Sequence, residues 1–266
     1  MDYKKENLKT MKKFSKYPYF QPCIETFNQY LERFTANGLS EKQATRKVLN
    51  YLKDILRSSQ NRVEEVINQR LESGRISDPS QTRKVVAGNN FQTLIAYSII
   101  RNIQIGNIYK NIVVNARYKN HPLLDKYATI TVGYNEDSQK PDSDVLIFKD
   151  DDFSPIVNFS CKTSLRERAG QTYKWKLLVD LATCTCKHIP ISQECPKNIY
   201  NLQYNNTRKI FMCFVTADLY NEINNPQING IFNFFDRAYI TKPDNEFLND
   251  NIQCFENVID FLNEIY

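Results

Sequence analysis

Between Ser40 and about Glu72 apolar residues return every fourth position, at Ala44, Val48, Leu52 and Leu56, with charged residues on the other faces. This is the spacing of an amphipathic helix. Ser40 stands where an N-cap is expected. The helical pattern runs from Pro22 to about Glu72, so residues 1–80 read as a helical subdomain with a scaffold or dimerisation role. SGRISDPSQ (73–81) has the Gly, Pro, Ser and Asp content of a connection. In AGNNFQTLIAYSII the residues Phe91, Leu94, Ile95 and Ile99 share one face, Asn89 or Asn90 is placed to cap it, and Gln92 sits on the first turn.

The pattern then changes period. Asn111–Tyr118, Tyr127–Tyr134, Asp144–Lys149 and Pro155–Lys162 are rich in Val, Ile, Thr, Tyr and Phe, which predicts strands. KDDDFS (149–154) is polar enough to turn a hairpin between the last two. A long helix is predicted from Leu165 to about Cys186, followed by a Pro, Asn and Gln rich connection from His188 to Asn206. Strands at Lys209–Thr216 and Ile231–Ile240 come next, and a closing helix from about Asn251 to Tyr266. Strands interleaved with helices predict an α/β (α+β) core over residues 81–266, with a mixed central sheet flanked by helices.

Composition narrows the function classes. With 266 residues, 41% hydrophobic and only 7 Gly, the chain can bury a sizeable core. Thirty-five Lys and Arg against 30 Asp and Glu leave +5, a mild bias towards polyanions. Six lysines fall in the first twenty residues, which read as a solvated, partly ordered terminus or as a basic arm touching phosphates. Seven cysteines in no framework spacing, and an N-terminus without an apolar signal segment, are expected of reduced thiols in a cytoplasmic protein. No apolar run approaches the roughly 20 residues of a membrane span, so no membrane role is expected.

The candidate chemistry lies in PDSDVLIFKDDDFSPIVNFSCKTSLRERAGQTYKWKLLVD (141–180). Phosphodiester hydrolysis needs a divalent metal to polarise a phosphate oxygen and activate water, and a cation near the developing charge. Hard oxygen ligands hold Mg²⁺, and a lysine supplies a point charge. Asp144 and Lys162 each lie at a predicted strand end. The 17 residues between them leave room for two strands of about six residues and a turn.

These residues resemble the PD-(D/E)XK nuclease superfamily, and within it the type II restriction endonucleases that cut sites containing CCGG or CC and GG blocks. The shared pattern is Asp144 before the apolar Val145–Phe148, then Ser160-Cys161-Lys162, then Arg166-Glu167-Arg168. A weaker likeness extends upstream from Ser73 through Phe91. The resemblance implies a restriction-endonuclease-like core, Mg²⁺ as cofactor and double-stranded DNA as partner. It implies metal binding by Asp144 and the Cys161 backbone carbonyl, with Asp142 in reserve. Lys162 would position or activate water, and Ser160 and Gln92 complete the implied catalytic set. Arg166, Glu167 and Arg168 would read bases, since arginine pairs with guanine O6 and N7 and a carboxylate accepts from cytosine N4.

Each residue also has a bland reading. Glu167 completes a capping box with Ser164, Asp144 is a turn residue beside Pro141 and Asp142, and Lys162 is a solvated strand-end lysine. Arg166 and Arg168 could form surface ion pairs, although cations in a first helical turn oppose the macrodipole and so suit an anionic or acceptor-rich partner. The chain departs from its relatives at the acids. Ser160 replaces the usual acid two residues before the lysine, and the compensating glutamate about thirteen residues after it is Trp175. Asp180 is five residues, about 7.5 Å, further along a helix, which makes it a weak metal ligand. Relatives carry an upstream glutamate where this chain has Gln92. Cys184, Cys186, His188 and Cys195 match no common zinc spacing, and Tyr173 and Trp175 at helical spacing suit a core as well as base stacking.

The sequence thus points to a Mg²⁺-dependent type II restriction endonuclease acting on a C·G-rich site as a homodimer, with a methyltransferase as genetic partner. The competing readings are a repair or recombination nuclease of the same superfamily without sequence specificity, and a non-cleaving DNA-binding protein on a nuclease-like fold.

Overall fold

The helical pattern of the first hundred residues resolves into five α-helices: α1 (Tyr3–Phe14), α2 (Gln21–Ala36), α3 (Glu41–Lys47), α4 (Leu52–Glu72) and α5 (Pro79–Gln104). They belong to a computed structural model that describes residues 2–116, 122–134, 137–141, 143–163, 168–184, 195–205, 207–217, 230–243 and 252–266, with the side chains of 168–171 outside the description. Ser40 caps α3 in a full capping box with Gln43. Helix α2 ends at Gly38, whose φ of 88° lets the Gly38 and Leu39 amides return to the Thr35 and Phe34 carbonyls.

Two expectations for this region are corrected. The lysine-rich terminus is a regular helix capped by Asp2, and it is seated on the sheet. Buried Asn7 donates to the Ile112 carbonyl at 2.9 Å and accepts from the Val114 amide at 2.9 Å. Helix α5 begins about ten residues before Asn89, at Pro79, because Asp78 accepts from the Gln81 amide and Pro79 supplies a preformed first turn.

The strands form two sheets. The larger has six strands in the order β1 (Val113–Ala116), β4 (Val145–Phe148), β5 (Ile156–Lys162), β7 (Ile210–Thr216), β8 (Arg237–Ile240) and β9 (Ile252–Cys254). Its first three strands pair antiparallel, and β5, β7, β8 and β9 run parallel. A separate antiparallel sheet joins β3 (Asp137–Gln139), β2 (Ile130–Val132) and β6 (Gln203–Tyr204). The expected strand at Tyr127–Tyr134 is therefore short, lies outside the central sheet and follows α6 (Pro122–Tyr127). Helices α7 (Arg168–Thr183) and α8 (Pro196–Ile199) occupy the connection between β5 and β6.

At the C-terminal end two further corrections apply. Residues 230–232 are helical, and only Arg237–Ile240 of the expected Ile231–Ile240 strand is extended. The closing helix starts at Val258, because Ile252–Cys254 are drawn into the sheet beside β8.

The central sheet is covered on both faces. On one, Phe27, Leu52, Phe91, Leu94, Ile95 and Ile99 pack with Val145, Val157 and Phe159 in a cluster fed by helices on both sides of residue 80. On the other, Leu146, Phe148, Ile156 and Met212 meet Tyr127 of α6 and Trp175 of α7. The mixed sheet flanked by helices is the architecture expected from the sequence. KDDDFS forms the β4–β5 turn, and buried Arg208 ties it down by donating to the Ser154 carbonyl at 2.8 Å and the Lys149 carbonyl at 3.3 Å. Among the described residues no helix is long and apolar enough to cross a membrane, and of the six cysteines described all but Cys184 are buried.

Candidate active site

The β4–β5 hairpin decides where the first two candidate residues meet. Its register sets Val145 opposite Phe159, and the Asp144 amide donates to the Phe159 carbonyl at 3.0 Å. Asp144 therefore enters β4 just as β5 is ending, and its carboxylate reaches along the partner strand. Oδ2 accepts from the Cys161 amide at 2.7 Å and from Lys162 Nζ at 2.9 Å. Asp144 is buried and Lys162 largely covered, with 7% and 11% of their side chains exposed. A turn aspartate and a solvated lysine are not what the fold makes of them.

Helix α5 supplies the third member. Its buried Phe91, Leu94 and Ile95 fix the helix against the sheet, and Gln92 projects from the same turn to donate its amide to Asp144 Oδ1. An ionised carboxylate only accepts, so the amide nitrogen is the atom that faces it. Among the described residues a backbone amide and two side chains thus donate to one carboxylate.

Ser160 lies two residues before Lys162 on the same side of β5, by strand alternation. Its buried hydroxyl stands 3.1 Å from the hydroxyl of Thr172 on α7. Thr172 is the residue that sequence reasoning missed. Counting from the lysine led to Trp175, but Trp175 packs against the Leu146, Phe148 and Ile156 cluster instead. No local pattern announces Thr172, because its partner is on a different element.

Asp180 is not brought to this group. It lies eight residues beyond Thr172, about 12 Å along the helix axis, is exposed and pairs with Lys176 at 2.5 Å. Lys176 also approaches Asp236 at 3.8 Å. Burial pushes the Asp236 carboxyl above its ordinary range, opposed by the Met212 amide and by Lys176.

The Cys161 side chain points into the apolar core, leaving only its backbone for the site. Asp142, Ser164, Arg166 and Glu167 lie outside the described residues, as does the Arg168 side chain. Cys186 and His188 are outside them too. Cys184 is exposed, Cys195 is buried, and no group of three or more His, Cys, Asp or Glu able to hold a metal occurs among the described residues. What the hairpin and α5 do assemble is a hard oxygen donor, the Asp144 carboxylate, beside Lys162, the Cys161 amide and the Gln92 side chain. That chemistry suits a small hard divalent cation and not zinc.

A family model described as BsaWI restriction endonuclease type 2 matches residues 117–261, more than half of the chain. No curated protein sequence matches. The crystal structure of the pre-specific restriction endonuclease BsaWI–DNA complex is similar at 13% identity, over 93% of this chain and 92% of that chain, with a TM-score of 0.36. The family match takes in Asp144, Lys162 and the Arg166–Arg168 segment, and by its extent this chain belongs to the BsaWI family of type II restriction endonucleases.

Proposed function

We propose that this protein hydrolyses phosphodiester bonds of double-stranded DNA as a Mg²⁺-dependent restriction endonuclease acting at a short C·G-rich site, one containing CCGG or CC and GG elements. The observation that carries the reading is the contact between Lys162 and Asp144 at the ends of two adjacent strands, in a chain of the BsaWI family. A carboxylate and an ammonium held this close can address one phosphate together. Asp144, with the Cys161 carbonyl and the Gln92 amide oxygen, would hold Mg²⁺. The donor set fits, since that ion is commonly bound by one or two carboxylates with waters and substrate phosphate completing its shell. When bound it would polarise a non-bridging oxygen and activate water. Lys162 would orient that water and offset the charge that develops on the phosphoryl oxygens.

Arg166, Glu167 and Arg168 would read the bases, on the chemistry of arginine with guanine and carboxylate with cytosine. A palindromic site would call for a two-fold dimer. The test is a digest of fully sequenced DNA in Mg²⁺, with the ends mapped. Cuts at one recurrent C·G-rich sequence, abolished by Asp144→Asn, are expected. Cuts scattered without sequence preference would replace the reading by a non-specific nuclease. Mg²⁺-independent binding with no cut product would replace it by a DNA-binding protein on the same fold. A methyltransferase gene beside this one would add support.

A further inference from the structure

We propose that the sugar-phosphate backbone of the bound duplex lies along α5 beyond Gln92, over bare Gly88, and that Arg70 grips one of its phosphates a few nucleotides from the one to be cut. The inference rests on the nuclease reading above and deepens it, by naming backbone contacts outside the β4–β5 hairpin.

Helix α5 suits an anionic neighbour. Its 26 residues include Arg83, Lys84 and Arg101 and no Asp or Glu. Gln81, Val85, Gly88 and Gln92 recur at helical spacing on one face, and Gln92 ends that face at the Asp144 carboxylate. A Cβ placed on Gly88 would meet no atom within 4 Å. Nothing in the chain itself therefore calls for glycine there, although glycine in a helix interior costs about 1 kcal/mol relative to alanine. Val85, one turn earlier, is 48% exposed. A face left bare one turn from Gln92 lets another backbone approach α5 more closely than a side chain would permit.

Arg70, in the last turn of α4, supplies the cation. Its guanidinium lies over the Tyr19 ring, 5.3 Å from the centroid. The buried Nε has no hydrogen-bond partner, and the side chain makes no ion pair among the described residues. Buried unpaired donors are rare and costly, and the planar fork of an arginine matches a phosphate. Arg70 lines an open cavity of about 580 Å³ together with Tyr19, Gln81, Val85 and Asn89. Gln81 and Val85 belong to the bare face, so the cavity and Gly88 are neighbours along one helix. Asp78 is the acid among the described residues of this cavity, and it is engaged as the N-cap of α5, accepting from the Gln81 amide at 2.9 Å. Val85 and Gln92 are seven residues apart, about 10.5 Å along the axis, or about three nucleotides at 3.4 Å each. A strand with its scissile phosphate at Asp144 can thus pass over Gly88 and present a later phosphate to Arg70.

The test is duplex binding by the full chain without added Mg²⁺, so that no strand is cut, followed by fluorescence anisotropy over a range of salt. Arg70→Met keeps the aliphatic stem over Tyr19. It should bind both the cleavage-site duplex and an unrelated duplex about tenfold more weakly, the worth of one hydrogen bond to a charged group. The slope of log affinity against log salt should become shallower by about 0.9, the loss of one phosphate contact. An unchanged slope overturns the role of Arg70, because a merely structural arginine would lower stability and leave the slope alone. Methylphosphonates placed singly on either side of the mapped cut should identify one position, about three nucleotides away, that weakens the wild type and leaves Arg70→Met unaffected. If each neutral phosphate costs both chains equally, the proposal fails. Gly88→Leu should fold with a Tm at or above that of the wild type, since leucine is the better helix former, and should bind duplex at least about tenfold more weakly. Full duplex affinity in that chain removes the backbone from α5, and it does so even if Arg70→Met fails to fold. A wild type with no salt-dependent duplex binding condemns the nuclease reading instead, so the two failures are distinct.

Discussion

Lys162→Met separates the structural contact of one lysine from the catalytic task proposed for it. Methionine keeps most of the aliphatic stem and removes the ammonium that donates to Asp144 Oδ2 at 2.9 Å. Both partners are at least 89% buried, so solvent does little to screen the loss. Breaking a buried pair by removing one partner costs about 3–5 kcal/mol. Asp144 retains the Cys161 and Gln92 donors, and hydrogen bonds to a charged group are worth about 1.5–3 kcal/mol each, so the expected cost is at the lower end, about 2–4 kcal/mol. For a chain of this size that lowers Tm by roughly 5–15 °C. Cleavage should fall by about 10²–10³-fold or more, the loss typical of removing a charge-stabilising donor.

Guanidinium unfolding, beside single-turnover plasmid cleavage, measures both. Cleavage within about tenfold of wild type, or a double-mutant coupling with Asp144→Asn below about 0.5 kcal/mol, would refute the reasoning.

Two further outcomes test the frame around the site. Asn7→Leu should cost about 2–5 kcal/mol in denaturant unfolding, because the Ile112 carbonyl and Val114 amide are left buried without that partner; a cost below 1 kcal/mol would mean that α1 is not seated on β1 as described. For Asp236, burial raises the folded-state pKa above the ordinary 3.8, so the unfolded chain loses its proton first as pH rises. The stability from the neutral acid is fully present below that ordinary value and is lost as pH climbs through the folded one. Asp236→Asn keeps an acceptor for the Met212 amide and removes the titration. Unfolding free energies measured from about pH 3.8 upward should shift in favour of the variant, and parallel curves would contradict the direction given.

How far the sequence could be read depended on whether a residue's partner was local. The Ser40 N-cap, the Phe91, Leu94, Ile95 and Ile99 face and the β4–β5 hairpin are written in spacings of a few residues, and the structure has each of them. Helix α1 was hidden because its seat on the sheet is polar. Of its buried residues Asn7, Thr10 and Phe14, one is apolar, and the hydrogen bonds of Asn7 reach more than a hundred residues away. Strand β9 was hidden because three residues become a strand only when β8 lies beside them. The start of α5 was different: Asp78-Pro79 is a legible cap and first turn, obscured by the Gly and Ser around it.

The site divides along the same line. Asp144 and Lys162 were legible because one hairpin carries both. The group facing Ser160 was not, because the distance from strand to helix across the β5–α7 connection is set by packing and not by counting. Thr172 takes that place, three residues before the position that counting suggested. The positions where an acid is missing from the sequence are met across elements instead, Ser160 by the Thr172 hydroxyl and Asp144 by the Gln92 amide, and neither pairing can be counted along one strand or helix.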